Sequence, residues 1–481
     1  MQQLSGLDAS FLYFETAHAP MHIGGFAIYD PRTMSAPLSY ARFLENTERR
    51  LHLARCFRQK IAKVPLDLDH PYWIEDADFD LEFHVRHIAL PPPGDWRQLC
   101  TQVARLHARP LDPTKPLWEM YLVEGLDRID GIPKDSFAIV TKIHHAAIDG
   151  VSGSELVAAI HDARPDALPA PPEKAWVPER TPTGPELLAR ALANNVTQPF
   201  RLGRALAQMV PAWQRADQQR RSESYEPIGT VPRTRWNGTI TGHRVAGGVV
   251  LDLGAIRAIK KSVVGATVND VIVTVCGGAL RRYLEAKGEL PDESLIAMAP
   301  ISVRAASEAG TAGNRVSTMS VAVRSDIADP AERLEAVFRG TQSQKKLSEA
   351  IGASLLTDMT QFMPGMLAGL AARAYTRLGL ANRVKPFFNT VITNIPGPQT
   401  PLYSAGARLV ANYGMGPILD GMGLIHPIFS YCGEVTVSFT SCREMLPDPE
   451  FYEECLQASF DALSAATLGD AAPRTRGGDA A

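Results

Sequence analysis

The stretch from Ser136 to Ala159 constrains this chain more than any other. It begins as a β-branched, apolar run, Phe137 to Ile143, of the kind that fills a buried strand. The run ends in an adjacent pair, His144 and His145. Asp149 and Gly150 follow, and then Ser152 or Ser154 can cap a helix that opens with Glu155. A histidine delivered at the exit of a strand is held on a rigid element and can still face a cavity.

Neighbouring strand residues point to opposite faces, so the two histidines have different jobs. One face carries Phe137, Ile139, Thr141, Ile143 and His145; the other carries Ala138, Val140, Lys142 and His144. Alternation alone does not say which face is a cavity. A metal site fits poorly, because adjacent strand histidines diverge and no third ligand stands at a familiar spacing. A pair of hydrogen-bonded core histidines is the plainer alternative to a catalytic one. The Asp-Gly ending favours chemistry: Asp149 can brace the turn through a charged hydrogen bond, and Gly150 can adopt backbone angles that other residues avoid.

A chain of 481 residues implies two domains. Hydrophobic residues make up 45% and charged residues 21%, a core-forming balance. The net charge of -3 gives no reason to expect nucleic acid. Cys56, Cys100, Cys276, Cys432, Cys442 and Cys455 form no CxxC pair, which suggests reduced thiols in a cytoplasm. The opening Met1–Asp8 has no basic region or long apolar run, so no signal peptide is expected. No window reaches the roughly 18 apolar residues of a membrane span.

Along the chain, Leu7-Asp8-Ala9-Ser10-Phe11-Leu12 suggests a short helix and Met21–Tyr29 a strand, with His18 and His22 in surface or capping roles. Pro37–Leu53 and Trp96–His107 read as helices. Pro71–Ile74 and Phe79–Ile88 read as strands, the latter half-buried by its Phe79, Leu81, Phe83, Val85 alternation. Pro116-Leu117-Trp118 leads into another strand, with Trp118 a core or channel wall. Proline punctuation from Arg164 to Pro185 marks a linker. An arginine-rich helix runs from Glu186 to about Arg215, with Pro199 expected to break or kink it. This segment and Leu355–Leu380 are the two candidates for lying on an anionic membrane; the alternative is packing on the protein itself with a solvated basic face.

In the second half, Gly248–Leu253, Ser294–Arg304, Asn314–Val323, Phe387–Asn394 and Tyr431–Phe439 carry strand signals. Ala266–Leu284 is helical in spacing, with Asn269 and Asp270 at its start. Asn269 can serve as a cap, or aim its amide at a developing oxyanion. Gly277 and Gly278 each cost a helix about 1 kcal/mol relative to Ala, which hints at close backbone approach. Pro330–Leu347 and Pro449–Ala466 are further helices, and the tail from Gly469 is expected to be disordered.

These residues carry a resemblance. His144–Gly150 looks like the HHxxxDG signature of the CoA-dependent acyltransferase superfamily. The Leu-Asp-Ala-Ser-Phe opening, Pro116-Leu117-Trp118, Asn269-Asp270-Val271, the Gly278–Leu284 run and Ile395-Pro396-Gly397-Pro398 make the chain resemble the bacterial wax ester synthase/diacylglycerol acyltransferase family within it.

The resemblance implies an α/β fold. It would have two chloramphenicol-acetyltransferase-like sandwich domains with mixed sheets and an active-site channel at their interface. The expected division is 1–165, a linker and helical crossover over 166–236, 237–468, and a tail over 469–481. The implied reaction moves a long-chain acyl group from acyl-CoA to diacylglycerol or a long-chain alcohol, directly and without a metal or cofactor. His145 would be the base, His144 its support and Asn269 the oxyanion donor. Asp149 and Gly150 would shape the turn, with Arg304 pairing with Asp149 from the other domain. Trp118, Gly277 and Gly278 would line the channel. The protein would work in the cytoplasm, at the inner membrane or lipid inclusions. Two alternatives stay open: a condensation-type acyltransferase using a polyketide or carrier-bound acceptor, and a non-catalytic lipid-binding scaffold.

Overall fold

A computed structural model describes residues 1–148, 153–172, 174, 176–222, 225–302, 316–351 and 365–469. Its strands are β1 (Gln2–Gln3), β2 (His22–Asp30), β3 (Gln59–Ala62), β4 (Tyr72–Glu75), β5 (Val85–Ala89), β6 (Trp118–Glu124), β7 (Phe137–His144), β8 (Arg244–Asp252), β9 (Ile296–Ser302), β10 (Val316–Ala322), β11 (Thr390–Pro396), β12 (Tyr403–Ser404), β13 (Ala407–Met415), β14 (Leu424–Tyr431) and β15 (Glu434–Cys442). The helices are α1 (Gly6–Phe14), α2 (Tyr40–Glu48), α3 (Leu81–His84), α4 (Trp96–His107), α5 (Gly153–Ile160), α6 (Gly184–Arg220), α7 (Leu253–Ile259), α8 (Val268–Ala286) and α9 (Pro330–Ile351), followed by Gly365–Arg377 and Pro449–Leu468.

Two six-stranded mixed sheets organise the chain, in the orders β12-β13-β2-β7-β6-β5 and β10-β9-β11-β14-β15-β8. In the first, β5 and β6 are parallel and the pairs β6/β7, β7/β2 and β2/β13 antiparallel. In the second, β11 runs parallel to both β9 and β14. The mixed α/β class follows. Strands β12 and β13 come from the second half of the chain yet extend the first sheet, with Arg408 opposite Asp30 and Met415 opposite Gly24.

The first sheet is buried on both faces, as a near-continuous apolar strand requires. Phe137, Ile139 and Ile143 of β7 join Trp118, Met120 and Leu122 of β6 and Phe43 of α2 on one side. Ala138 and Val140 join Phe26, Ile28, Tyr121 and Val123 with Leu99 and Val103 of α4 on the other. Fully burying one such side chain contributes roughly 1.5–3 kcal/mol. The second sheet packs on α8 and the helix Pro449–Leu468 through Ile272, Val275, Leu280, Tyr452, Leu456 and Phe460.

The close approach expected at the α8 glycines is present. A Cβ on Gly277 would stand 2.1 Å from the Val323 carbonyl oxygen, and one on Gly278 2.2 Å from Ser459 Oγ.

Four sequence expectations change. Phe79–Ile88 is a strand only from Val85, because Asp80 accepts the Glu82 amide at 3.0 Å and caps the short helix α3 first. The helix expected over Pro37–Leu53 is confined to α2, which starts where the Ser39 hydroxyl accepts the Arg42 amide. Pro199 does not break its helix: α6 is one helix of 37 residues, entered through Pro185 in its first turn. The proline forfeits one backbone bond, a local loss. Asn269 is not the cap of α8, since Thr267 takes that place and forms a reciprocal box with Asp270.

Candidate active site

Strand β7 ends at His144, and His145–Ala147 turns away in a short 3-10 segment. The His145 amide donates to the Met21 carbonyl at 2.8 Å, and the His144 amide to the Leu117 carbonyl at 2.9 Å. The two side chains part, as strand geometry requires. His144 is only 1% exposed, whereas His145 is half-buried. His144 Nδ1 accepts the Ala146 amide at 3.1 Å, so its own ring pins the turn that presents His145. In the neutral ring the proton then sits on Nε2, which faces Glu15 Oε2 at 3.5 Å. The Phe11 ring stacks on His145, centroids 3.8 Å apart and planes inclined by 14°.

Behind His144 lies a buried polar row. His22, opposite His144 in the β2/β7 register, places Nε2 2.5 Å from the His107 carbonyl oxygen. The expected surface or capping role of His22 therefore gives way to full burial, since its place on β2 turns it inward. Burial holds His22 well below its ordinary pKa, helped by His107 and Lys142, and lowers His107 to about 3. Lys142 Nζ donates to Glu119 Oε2 at 2.9 Å and to the carbonyls of Leu106 and Arg109. Burial would raise the Glu119 carboxyl, but Lys142 and the Tyr121 hydroxyl outweigh it and hold it below the usual range. Burial lowers Lys142 in spite of Glu119.

Asn269 stands half-buried in the first turn of α8. Its first-turn position keeps its amide near the positive end of the helix, where developing negative charge is favoured. Trp118 is 2% exposed and donates from Nε1 to the Phe57 carbonyl at 3.0 Å, with its ring stacked on His84. What the structure shows of Trp118, Gly277 and Gly278 is packing. Asp149, Gly150, Ser152 and Arg304 lie outside the described residues.

Sequence reasoning missed Phe11, Glu15, His107 and the Lys142–Glu119 pair as neighbours of the site. The i, i+4 spacing of Phe11 and Glu15 on the first helix was the available signal. The row around Lys142 comes together only through the β2/β7/β6 pairing and has no local signature. Among the described residues no group of three or more His, Cys, Asp or Glu could hold a metal ion.

Comparison with known proteins gives consistent matches over nearly the whole chain. The wax ester synthase/diacylglycerol acyltransferase catalytic domain matches residues 4–272, and the WS/DGAT C-terminal domain matches residues 312–464. A putative diacylglycerol O-acyltransferase of Mycobacterium tuberculosis H37Rv is 35% identical over 473 residues, covering 96% of this chain and 91% of that protein. The probable diacylglycerol O-acyltransferase tgs2 of the same strain is 32% identical over 463 residues, covering 95% and 98%. Among solved structures, the wax ester synthase/diacylglycerol acyltransferase from Marinobacter aquaeolei VT8 superposes with a TM-score of 0.67 at 27% identity, covering 97% of this chain and 100% of that one. The starter condensation domain of rhizomide synthetase shares the fold, with a TM-score of 0.53 at 12% identity over 98% and 95% of the two chains.

Proposed function

The chain belongs to the wax ester synthase/diacylglycerol acyltransferase family, and from that premise we propose that it transfers a long-chain acyl group from acyl-CoA to diacylglycerol, a long-chain alcohol, or both. The observation that carries the reading is His145: a half-buried imidazole at a strand exit, backed by Phe11 and a braced turn. An alcohol is a weak nucleophile at neutral pH. The His145 imidazole takes the hydroxyl proton as oxygen bonds to the thioester carbon. The C–S bond then breaks, and the same proton goes to the departing CoA thiolate. Imidazole is the side chain whose ordinary titration range lies closest to neutral pH, which suits both transfers. The Asn269 amide is the proposed donor to the tetrahedral oxyanion. No acyl-enzyme is needed. His144 acts by holding the turn.

Substrates this apolar reside in lipid, so the enzyme meets them at a surface. No helix among the described residues is long and apolar enough to cross a membrane. The proposed contact is the segment around helix Gly365–Arg377. Between Asp358 and Asp420 the sequence has no acidic residue but carries Arg373, Arg377, Arg383, Lys385 and Arg408. Leu370, Leu378 and Phe387 project there at 54%, 61% and 84% exposure. The helix also packs on α1, which bears Phe11. Exposed apolar groups on a segment whose own charges are all cationic suit anionic headgroups. The α6 helix also exposes apolar groups, Val196 and Trp213, but it includes Glu186 and Asp217.

Incubating the pure protein with palmitoyl-CoA and either dioleoylglycerol or hexadecanol, while following free thiol and ester, tests the reaction. Thiol release that requires either acceptor supports it; no ester from either acceptor overturns it.

A further inference from the structure

Helix α1 reaches the histidine turn twice from one face. Phe11 lies on the His145 ring, and four residues later Glu15, at the C-terminal end of the helix, turns its carboxylate towards His144. The two Glu15 oxygens have separate partners. Oε1 accepts the Met21 amide at 3.4 Å, and Met21 in turn accepts the His145 amide through its carbonyl at 2.8 Å. Oε2 faces His144 Nε2 at 3.5 Å, while His144 Nδ1 accepts the Ala146 amide. The contacts close a ring, Glu15–Met21–His145 on one side and Glu15–His144–Ala146 on the other.

His144 Nε2 is buried and has no hydrogen-bond partner among the described residues; the Glu15 carboxylate stands in front of it at 3.5 Å. A buried N–H without an acceptor is unfavourable, so a carboxylate poised in front of it selects the tautomer that leaves Nδ1 free to accept. Catalytic hydrogen bonds in the substrate-free state are commonly long and tighten when substrate binds.

We propose that Glu15 is the positioning residue of the histidine turn, fixing the tautomer of His144 and, through Met21, the backbone from which His145 projects. This rests on His145 being the base. Glu15 does not touch substrate; it sets where the imidazole stands. Glu15→Gln keeps the length and the acceptor for Met21 but removes the charge facing His144, and its amide can present N–H groups to Nε2–H.

The test uses the full-length protein, the Glu15→Gln and His145→Ala variants, and selectively 15N-histidine-labelled parent. Expected are a kcat lowered roughly ten- to hundredfold in Glu15→Gln, by analogy with groups that orient metal-bound histidines. KM for palmitoyl-CoA and dioleoylglycerol should stay within about twofold, since ground-state binding is untouched. In the labelled parent, the His144 resonances should show a protonated Nε2 and a bare Nδ1. Parent-like kcat in Glu15→Gln beside an inactive His145→Ala overturns the proposal, as does a His144 ring protonated at Nδ1. Should His145→Ala keep its activity, the base assignment falls instead, and the His144 tautomer still decides what Glu15 does to the turn.

Discussion

The Phe11 ring lies flat on the imidazole of His145, 3.8 Å from centroid to centroid. A stacked aromatic covers one face of the imidazole and limits its rotation. Such pairs contribute about 0.5–1.5 kcal/mol beyond the area they bury. The stack joins the Leu-Asp-Ala-Ser-Phe opening to the HHxxxDG signature, two stretches more than a hundred residues apart in sequence.

Asn269 offers a clean test of the oxyanion role because Thr267, not Asn269, caps α8. Asn269→Ala should therefore lower kcat by roughly 10²–10³ while leaving thermal stability unchanged. Steady-state thiol release and a melting curve on the same preparation check it. A melt lowered in step with activity would indicate a structural role.

The Lys142–Glu119 pair is a stability element. Lys142 is 2% exposed at its side chain. Glu119→Gln would leave a buried ammonium without its counter-charge, at a cost of about 3–5 kcal/mol. Adding Lys142→Met should recover most of that loss. Denaturant unfolding of the three proteins decides; equal stability of the single variant and the parent would show the pair to be dispensable.

Much of this architecture was legible in the sequence. Helix α4 runs over the expected Trp96–His107, and β7 ends on the histidines as its apolar run implied. The capping box of α4 and the apolar run of β7 that define these elements are local. Legibility failed where long-range pairing decides. Strand β13 is ordered by β2 from the far end of the chain, and its Arg408–Met415 stretch carries no strong alternation of its own. His22 looked like a surface residue because its burial depends on His107 of α4 and His144 of β7. Of the candidate site, the strand exit that carries the histidine pair was readable, and the approach of Phe11 and Glu15 to it was not.

Glu453 makes stability depend on pH. It sits on the last helix, accepts Trp96 Nε1 at 3.0 Å and the Gly248 amide at 2.8 Å, and so joins α4 to β8. Burial raises its pKa from 4.5 to about 7 against those two donors, with Glu450 adding to the rise. The folded state thus keeps a proton that the unfolded state releases. The stabilisation is complete below about pH 4.5 and is lost as pH climbs to about 7, a change on the order of 3 kcal/mol. Glu453→Gln should gain on the parent across that window and run parallel above it. Melting temperatures of both from pH 4.5 to 8 check this; a gap independent of pH would refute it.

Lipid docking through helix Gly365–Arg377 predicts a response to charge. Each basic residue near an anionic surface contributes about 1 kcal/mol. Removing two of them with Arg373→Gln and Arg377→Gln should weaken binding to phosphatidylglycerol vesicles roughly thirtyfold. Phe387→Ser should weaken it further at high salt, where electrostatics are screened. Flotation assays read both; unchanged partitioning of all variants would move the docking face elsewhere.

The account depends most directly on the imidazole of His145. The deciding measurement is ester formation by His145→Ala with palmitoyl-CoA and dioleoylglycerol or hexadecanol, beside its melting curve. A fall of at least roughly 10²-fold with the melt preserved is the predicted result. Ester made at the parent's rate by a folded His145→Ala would contradict it.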